Sequence, residues 1–281
     1  MFREGWIPEL EEQHFKQFLH EQEVCGEEWF VDFSAVKERI YEEADVYKTR
    51  PVVQSPSELF AYKYNQNSSN GCAAIAAART VEYGMELMTR KKKEIVPFRV
   101  MPAWTYACYH ALVAKDYGYG GCSISGILTV LNKYGVLPYD VFGRELTDLQ
   151  MVQLGWNKRS VFPSIFEKYG EQAEKFQVKI TKPETFTDLI TCIEAGYSVE
   201  FGTNRRVQLG KDGNWSLSGS TNHAMNYAFR KDGYIGLTNS WNDGFGWLPV
   251  RFAETQWRGR FDCFVVLEVE RSRKGKANYG L

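Results

Sequence analysis

The sequence has no run of 18 apolar residues, so it offers no transmembrane helix. Its opening stretch, MFREGWIPELEEQHF, is acidic and lacks an apolar segment, which argues against a secretory signal. Charge of one sign is missing too. With 34 Lys and Arg against 35 Asp and Glu, the net charge of −1 gives no electrostatic reason to expect a nucleic acid or an anionic membrane as partner. Cysteine is sparse: six in 281 residues is too thin for a disulfide scaffold. Cys108, Cys192 and Cys263 sit in apolar runs and read as buried free thiols. No CxxC pair exists and there are only four histidines, so no zinc site, and no other metal or cofactor, is expected.

What is present is core. Apolar residues make up 44% of the chain and aromatics 15%, enough for one large core or two modest lobes sharing an interface. Residues 1–60 read as an N-terminal arm with helices at 10–21 and 34–47, the second capped by Ser34. We expect an integral or partner-binding arm rather than an inhibitory segment. QNSSNG at 66–71 is a turn run, and CAAIAAARTVEYGMELMTR reads as a long helix buried on most sides. Helices follow at 102–118, opened by Pro102, and at 123–135, closed by Gly135. VLPYDVFG reads as an extended surface run, and 147–175 as one or two helices.

The period changes in the second half. FQVKI at 176–180 alternates as a strand, and FTDLITCIEAG forms a helix stopped by Gly196. YSVEFGT, HAMNYAF, YIGLTNSW and FDCFVVLEV are β-branched and aromatic runs separated by turns. The expected architecture is α+β. It has a helical lobe over about 61–175, an antiparallel sheet lobe over about 176–268, and a basic tail over 269–281.

Four polar residues stand out. Cys72 follows Gly71 at a helix start, where free N–H groups and the positive helix end stabilise a thiolate. Gln66, six residues upstream, can donate to an oxyanion together with the Cys72 N–H, although Asn65, Asn67 and Asn70 can serve equally. His223, between Asn222 and the small Ala224, suits a base in a strand. His110, amid YACYHALV, reads as packing. Asn239 can accept from the imidazole and fix its tautomer, with Trp241 covering that bond. A thiol, a base and an orienting amide in this order form the layout of a thiol hydrolase.

At these residues the chain resembles papain-like cysteine peptidases. QNSSNGCA keeps the Gln-to-Cys spacing of the family's Q-G-x-C-G-S-C-W. Asn222-His223-Ala224 matches N/D-H-A, and Asn239-Ser240-Trp241 with Gly244, Phe245, Gly246 and Trp247 loosely matches N-S-W-G-x-x-W-G. YGYGG resembles the glycine pair that bonds an extended substrate, which assigns Gly120 and Gly121 to the cleft. YGVLPY looks like a shortened form of a further family stretch. The resemblance covers about 60–265 and implies a two-lobe fold, helical on one side and an antiparallel sheet or barrel on the other, with the cleft between. By the same resemblance Cys72, His223, Asn239 and Gln66 are catalytic, while Gly120, Gly121, Trp241 and Asn222 line the substrate.

The chain also departs from the pattern. Ala73 replaces the usual tryptophan, Asn242 the usual glycine, and Ser69 and Gly118 stand where a family disulfide would end. Loss of that bridge fits a reducing compartment, so cytoplasm or an assembled particle is the expected location. The expected activity is hydrolysis of peptide or isopeptide bonds in a peptide or protein substrate, with the arm open to a protein partner. The alternatives are cleavage of peptidoglycan cross-peptides and a catalytically silent binding or structural protein.

Overall fold

Small side chains let one helix sit at the centre. The alanine-rich run becomes a helix over Cys72–Arg90, and all of its first ten residues are buried. A computed structural model describes residues 5–49, 64–66, 69–91, 95–118, 120–142, 155–241, 244–259 and 262–271. In chain order the helices are α1 (Glu11–Cys25), α2 (Phe33–Thr49), α3 (Cys72–Arg90), α4 (Pro102–Cys108), α5 (Ile124–Thr129), α6 (Phe162–Ala173), α7 (Phe186–Glu194) and α8 (Val250–Gln256). The strands are β1 (Phe176–Thr181), β2 (Val199–Leu209), β3 (Trp215–Lys231), β4 (Tyr234–Asn239), β5 (Gly244–Pro249) and β6 (Cys263–Arg271). Among the described residues no helix is long and apolar enough to cross a membrane.

The strands form one sheet in the order β1-β6-β2-β3-β4-β5, every neighbouring pair antiparallel. Period-two alternation gives the sheet two buried faces. One face, with Val199, Phe201, Tyr227, Leu237 and Val265, packs on α2 and α7. The other contributes Ala224, Phe264 and Val266 to the core of the helical lobe, against α3. Helix and sheet approach closely at Gly84, where a Cβ would lie 2.8 Å from Val266 Cγ1. The result is a helical lobe and a six-stranded antiparallel lobe, with α3 and β3 meeting between them.

The arm contributes to both lobes. Helix α1 packs on α5 in the helical lobe, and α2 packs on α7 beside the sheet. Several local expectations change. Asp32 rather than Ser34 opens α2, its Oδ1 accepting from the Ser34 N–H at 3.0 Å and the Ser34 hydroxyl at 2.7 Å. Ser123 caps α5 by accepting from Gly126 N at 3.0 Å, and α4 and α5 each run on into a wide π-type turn. The stretch after Gly135 is not a surface run: Val136 and Leu137 are fully buried, and Tyr139–Phe142 forms a 3₁₀ turn. Strand β6 reaches Arg271, so the expected tail begins inside it. The rest of that tail, residues 147–154 and the arm boundary near 60 lie outside the described residues.

Candidate active site

Cys72 is the first residue of α3, preceded by Gly71, and is fully buried. Its Sγ accepts a hydrogen bond from the Ala224 N–H at 3.4 Å, so the sulfur lies against the residue that follows His223 on β3. Burial pushes the thiol up to about 12, against the opposing pull of the Ala224, Ala73 and Cys72 N–H groups. In this state the sulfur is protonated.

His223 stands opposite Thr203 on β2, buried at the lobe interface. Its Nε2 lies 2.7 Å from Asn239 Oδ1 at the end of β4. The same oxygen accepts from Ser240 N at 2.7 Å, which identifies it as the carbonyl of the amide. Nε2 therefore carries the hydrogen and Nδ1 the lone pair. That Nδ1 is buried without a hydrogen-bond partner. Trp241 stacks on the imidazole at 4.3 Å and 19°. Burial pulls the imidazole down to about 4, partly offset by the bond to Asn239. Thiol and imidazole are thus both neutral here, for one reason: both are dry.

Gln66 is tied to the sheet lobe. Its N–H donates to Ser240 O at 2.7 Å, and its Oε1 accepts from Ser240 Oγ at 2.5 Å. Its Nε2 donates to Ser69 O at 3.0 Å, within its own loop. Asn65 bridges to Trp241. Asn67 lies outside the described residues.

The cleft is occupied by the chain's own residues 5–7. The Gly5 and Trp6 N–H groups donate to Asn222 O at 3.1 and 3.4 Å. On the other side Cys122 N donates to Gly5 O at 2.8 Å and Ile7 N donates to Cys122 O at 3.2 Å, making a parallel bridge between Trp6 and Cys122. A Cβ on Gly5 would stand 2.6 Å from Asn70 O and 2.7 Å from Cys72 Sγ. The segment therefore lies directly over the thiol. Gly5 O is turned to Cys122 and is not presented to the sulfur.

Of the two glycines singled out, Gly121 lies against the arm, since a Cβ there would reach 2.7 Å from Gly5 C and O. Gly120 faces away, its carbonyl accepting from Tyr106 OH at 2.9 Å and meeting His110 Nε2 at 3.2 Å. The residue that pairs with an extended chain is Cys122. His110 braces this loop through Asp116 at 2.8 Å, so it acts as a strut.

Gly5, Trp6, the Ala224 N–H and the main-chain pairing of Cys122 escaped the sequence reading. All but Trp6 act through the backbone, which leaves no side-chain pattern. Trp6 carried a faint signal, a lone tryptophan five residues before Glu11, to whose Oε1 its ring N–H donates at 2.8 Å.

No protein-family model matches the sequence, and no curated protein sequence does. Solved structures do match. Xylellain, a cysteine protease from Xylella fastidiosa, superposes with a TM-score of 0.55 at 17% identity over 79% of this chain and 91% of that one. The digestive procathepsin L 3 of Tenebrio molitor matches with a TM-score of 0.46 at 13% identity, over 91% and 90% of the two chains. The SERA5 proenzyme of Plasmodium falciparum gives 0.47 at 13%, over 78% and 64%. The xylellain superposition, together with the helical lobe, the antiparallel lobe and the cleft between them, gives this chain the fold of papain-like cysteine proteases.

Proposed function

We propose that this chain is a thiol hydrolase of peptide or isopeptide bonds, held closed by its own N-terminal arm, so that the arm expected to be integral rather than inhibitory is both. One observation carries the reading: the cleft already binds an extended peptide backbone, through Cys122 and Asn222, directly above Cys72 Sγ. A groove that holds residues 5–7 by main-chain bonds suits any extended peptide.

With the arm displaced, water enters and the burial that keeps both groups neutral is relieved. The thiol then gives its proton to the lone pair on His223 Nδ1, while Asn239 holds the ring by Nε2. The thiolate attacks the peptide carbonyl carbon. The Cys72 N–H and the Gln66 side-chain amide, once released from Ser69, face the oxyanion. The Nδ1 proton passes to the leaving amine, and water then cleaves the thioester, returning the proton to the imidazole.

The test is thiol labelling by an epoxide probe across pH 4 to 9, mapped by peptide mass spectrometry, on the intact chain and on chain nicked within the arm. The expected result is slow labelling when intact and rapid, selective labelling at Cys72 after nicking, with turnover of a peptide substrate that Cys72→Ala abolishes and labelling that His223→Ala abolishes. Slow labelling spread over several cysteines in both samples would overturn the reading. That outcome would favour the second one, a silent peptide-binding protein, for which the fully buried sulfur already argues.

A further inference from the structure

Beside the cysteine, the arm fills a side pocket whose chemistry is unusual for a protein interior. Trp6 is 2% exposed and pairs opposite Cys122, so its ring is the group that an extended chain sends into this pocket. The floor is Gly202 on β2, where an added Cβ would overlap indole atoms Cε2 and Cζ2. Arg258 covers the ring at 5.4 Å from its centroid. Glu11 is the acceptor at the end. Its Oε1 takes the indole N–H at 2.8 Å and Ile124 N at 2.5 Å, and its Oε2 takes Ser125 N at 2.7 Å.

Glu200 lies two positions before Gly202 on the same face of β2, fully buried, with neither carboxyl oxygen hydrogen-bonded. Lys182 is buried nearby, 3.4 Å from Ser125 Oγ. Burial raises the carboxyls of Glu11 and Glu200 and lowers the Lys182 ammonium, each charge felt by the others.

Resting on the reading of the cleft as a peptidase site, we infer that this pocket selects substrates with tryptophan at the position opposite Cys122, a flat ring whose neutral N–H satisfies Glu11. Three constraints narrow the choice. The glycine floor and the Arg258 cover fit a planar ring. The Glu11 oxygen needs a donor, which phenylalanine lacks, so phenylalanine leaves a buried carboxylate one bond short. Arg258 lies over the ring face, so an arginine or lysine side chain entering there would meet a like charge. Whichever way a substrate runs, its main chain meets the same Cys122 and Asn222 groups, and its residue opposite Cys122 faces the same floor.

The experiment uses the full-length Trp6→Ala chain, which empties the pocket. Binding of N-acetyl-tryptophan amide, N-acetyl-phenylalanine amide and N-acetyl-arginine amide is measured by calorimetry. Hydrolysis is measured on fluorogenic peptides varied at one position. Tryptophan should exceed phenylalanine by at least ~10-fold in both assays, the size of effect expected from one unmade buried bond. Adding Gly202→Val should remove that preference. Equal phenylalanine binding, or better arginine binding, overturns the inference. Ranked binding without turnover, in the same chain nicked within the arm as well as intact, keeps the pocket and removes the peptidase reading; turnover without rank does the reverse. Should Trp6→Ala not fold, Trp6→Phe keeps the ring and loses the N–H. It should label faster at Cys72 by about 10-fold, and an unchanged rate overturns the inference.

Discussion

Gly5→Ala is the smallest change that should lift the arm. Gly5 does not sit in the left-handed region, so alanine brings no backbone strain and only the new methyl acts. That methyl would stand 2.6 Å from Asn70 O and 2.7 Å from Cys72 Sγ. Neither neighbour yields easily. Asn70 O is main chain, and Sγ is held by the Ala224 N–H at the buried start of α3. Overpacking of this kind costs about 1–3 kcal/mol. The penalty falls on the closed state alone. At about 1.4 kcal/mol per tenfold, the population with the arm lifted rises by about 5-fold to about 150-fold. Labelling slower than reclosure tracks that population. Iodoacetamide labelling of Cys72, followed by mass spectrometry with the half-exposed Cys25 as internal control, should therefore accelerate by the same factor. A Cys72 rate equal to that of the unaltered chain, with Cys25 unchanged, would refute the claim that Gly5 lies on the sulfur.

Other changes have definite directions. Asn239→Ala leaves the buried His223 Nε2–H without its acceptor, a loss of about 1–3 kcal/mol; the urea midpoint should fall, and peptide turnover should drop even where the fold survives. Acid should weaken the closed fold. His223 is held down to about 4 from 6.5, so between those values the unfolded chain binds a proton that the folded chain refuses. The stability from this residue is full above about pH 6.5 and is lost as pH falls through about 4. His223→Gln should flatten that acid limb in urea titrations at stepped pH. Glu200 acts in the opposite sense: burial raises its carboxyl, so it favours the folded state at low pH and loses that contribution as pH rises. Glu200→Gln should thus gain stability over the unaltered chain at pH 8 more than at pH 5; an equal effect at both would count against a raised carboxyl.

The elements were largely legible because their patterns are local. The alanine-rich run after Gly71, the Gly196 stop after α7 and the alternation in β1 each carry their own signal, and the structure has each there. Boundaries failed where two local signals compete. Asp32 and Ser34 are both capping residues, and the earlier one wins. Pro138 makes VLPY read as surface, yet Met101 N–H reaches Leu137 O at 2.9 Å and Val136 N–H reaches Ala173 O at 3.0 Å, drawing the segment inward. At the site, the four side chains singled out for their chemistry, His223, Asn239, Cys72 and Gln66, lie in one region. The route of the arm was not legible, because Gly5 and Ile7 are held by main-chain bonds that any sequence can make. Glu200 was hidden for another reason: it sits in an alternating strand, where a polar residue suggests solvent, but both faces of this sheet are covered.

The tie between Gln66 and Ser240 limits how the cleft can open. The Asn65–Trp241 bridge, which contains the Gln66 N–H bond to Ser240 O, and the Ser240 hydroxyl bond to Gln66 Oε1 fasten the loop before α3 to the end of β4. The lobes cannot part there without breaking them, so access to Cys72 must come from peeling of the arm. The arm is itself anchored at Glu11, which holds the start of α5 through Ile124 and Ser125. Gly5 is six residues from that anchor, a tether of ~20 Å at full extension. A lifted arm therefore never leaves the neighbourhood; it remains an intramolecular competitor at an effective concentration of order millimolar. Any incoming peptide must outbid that local concentration, so an uncut chain would show a weak apparent affinity for substrate that cutting the tether alone would sharpen, with no change to the pocket.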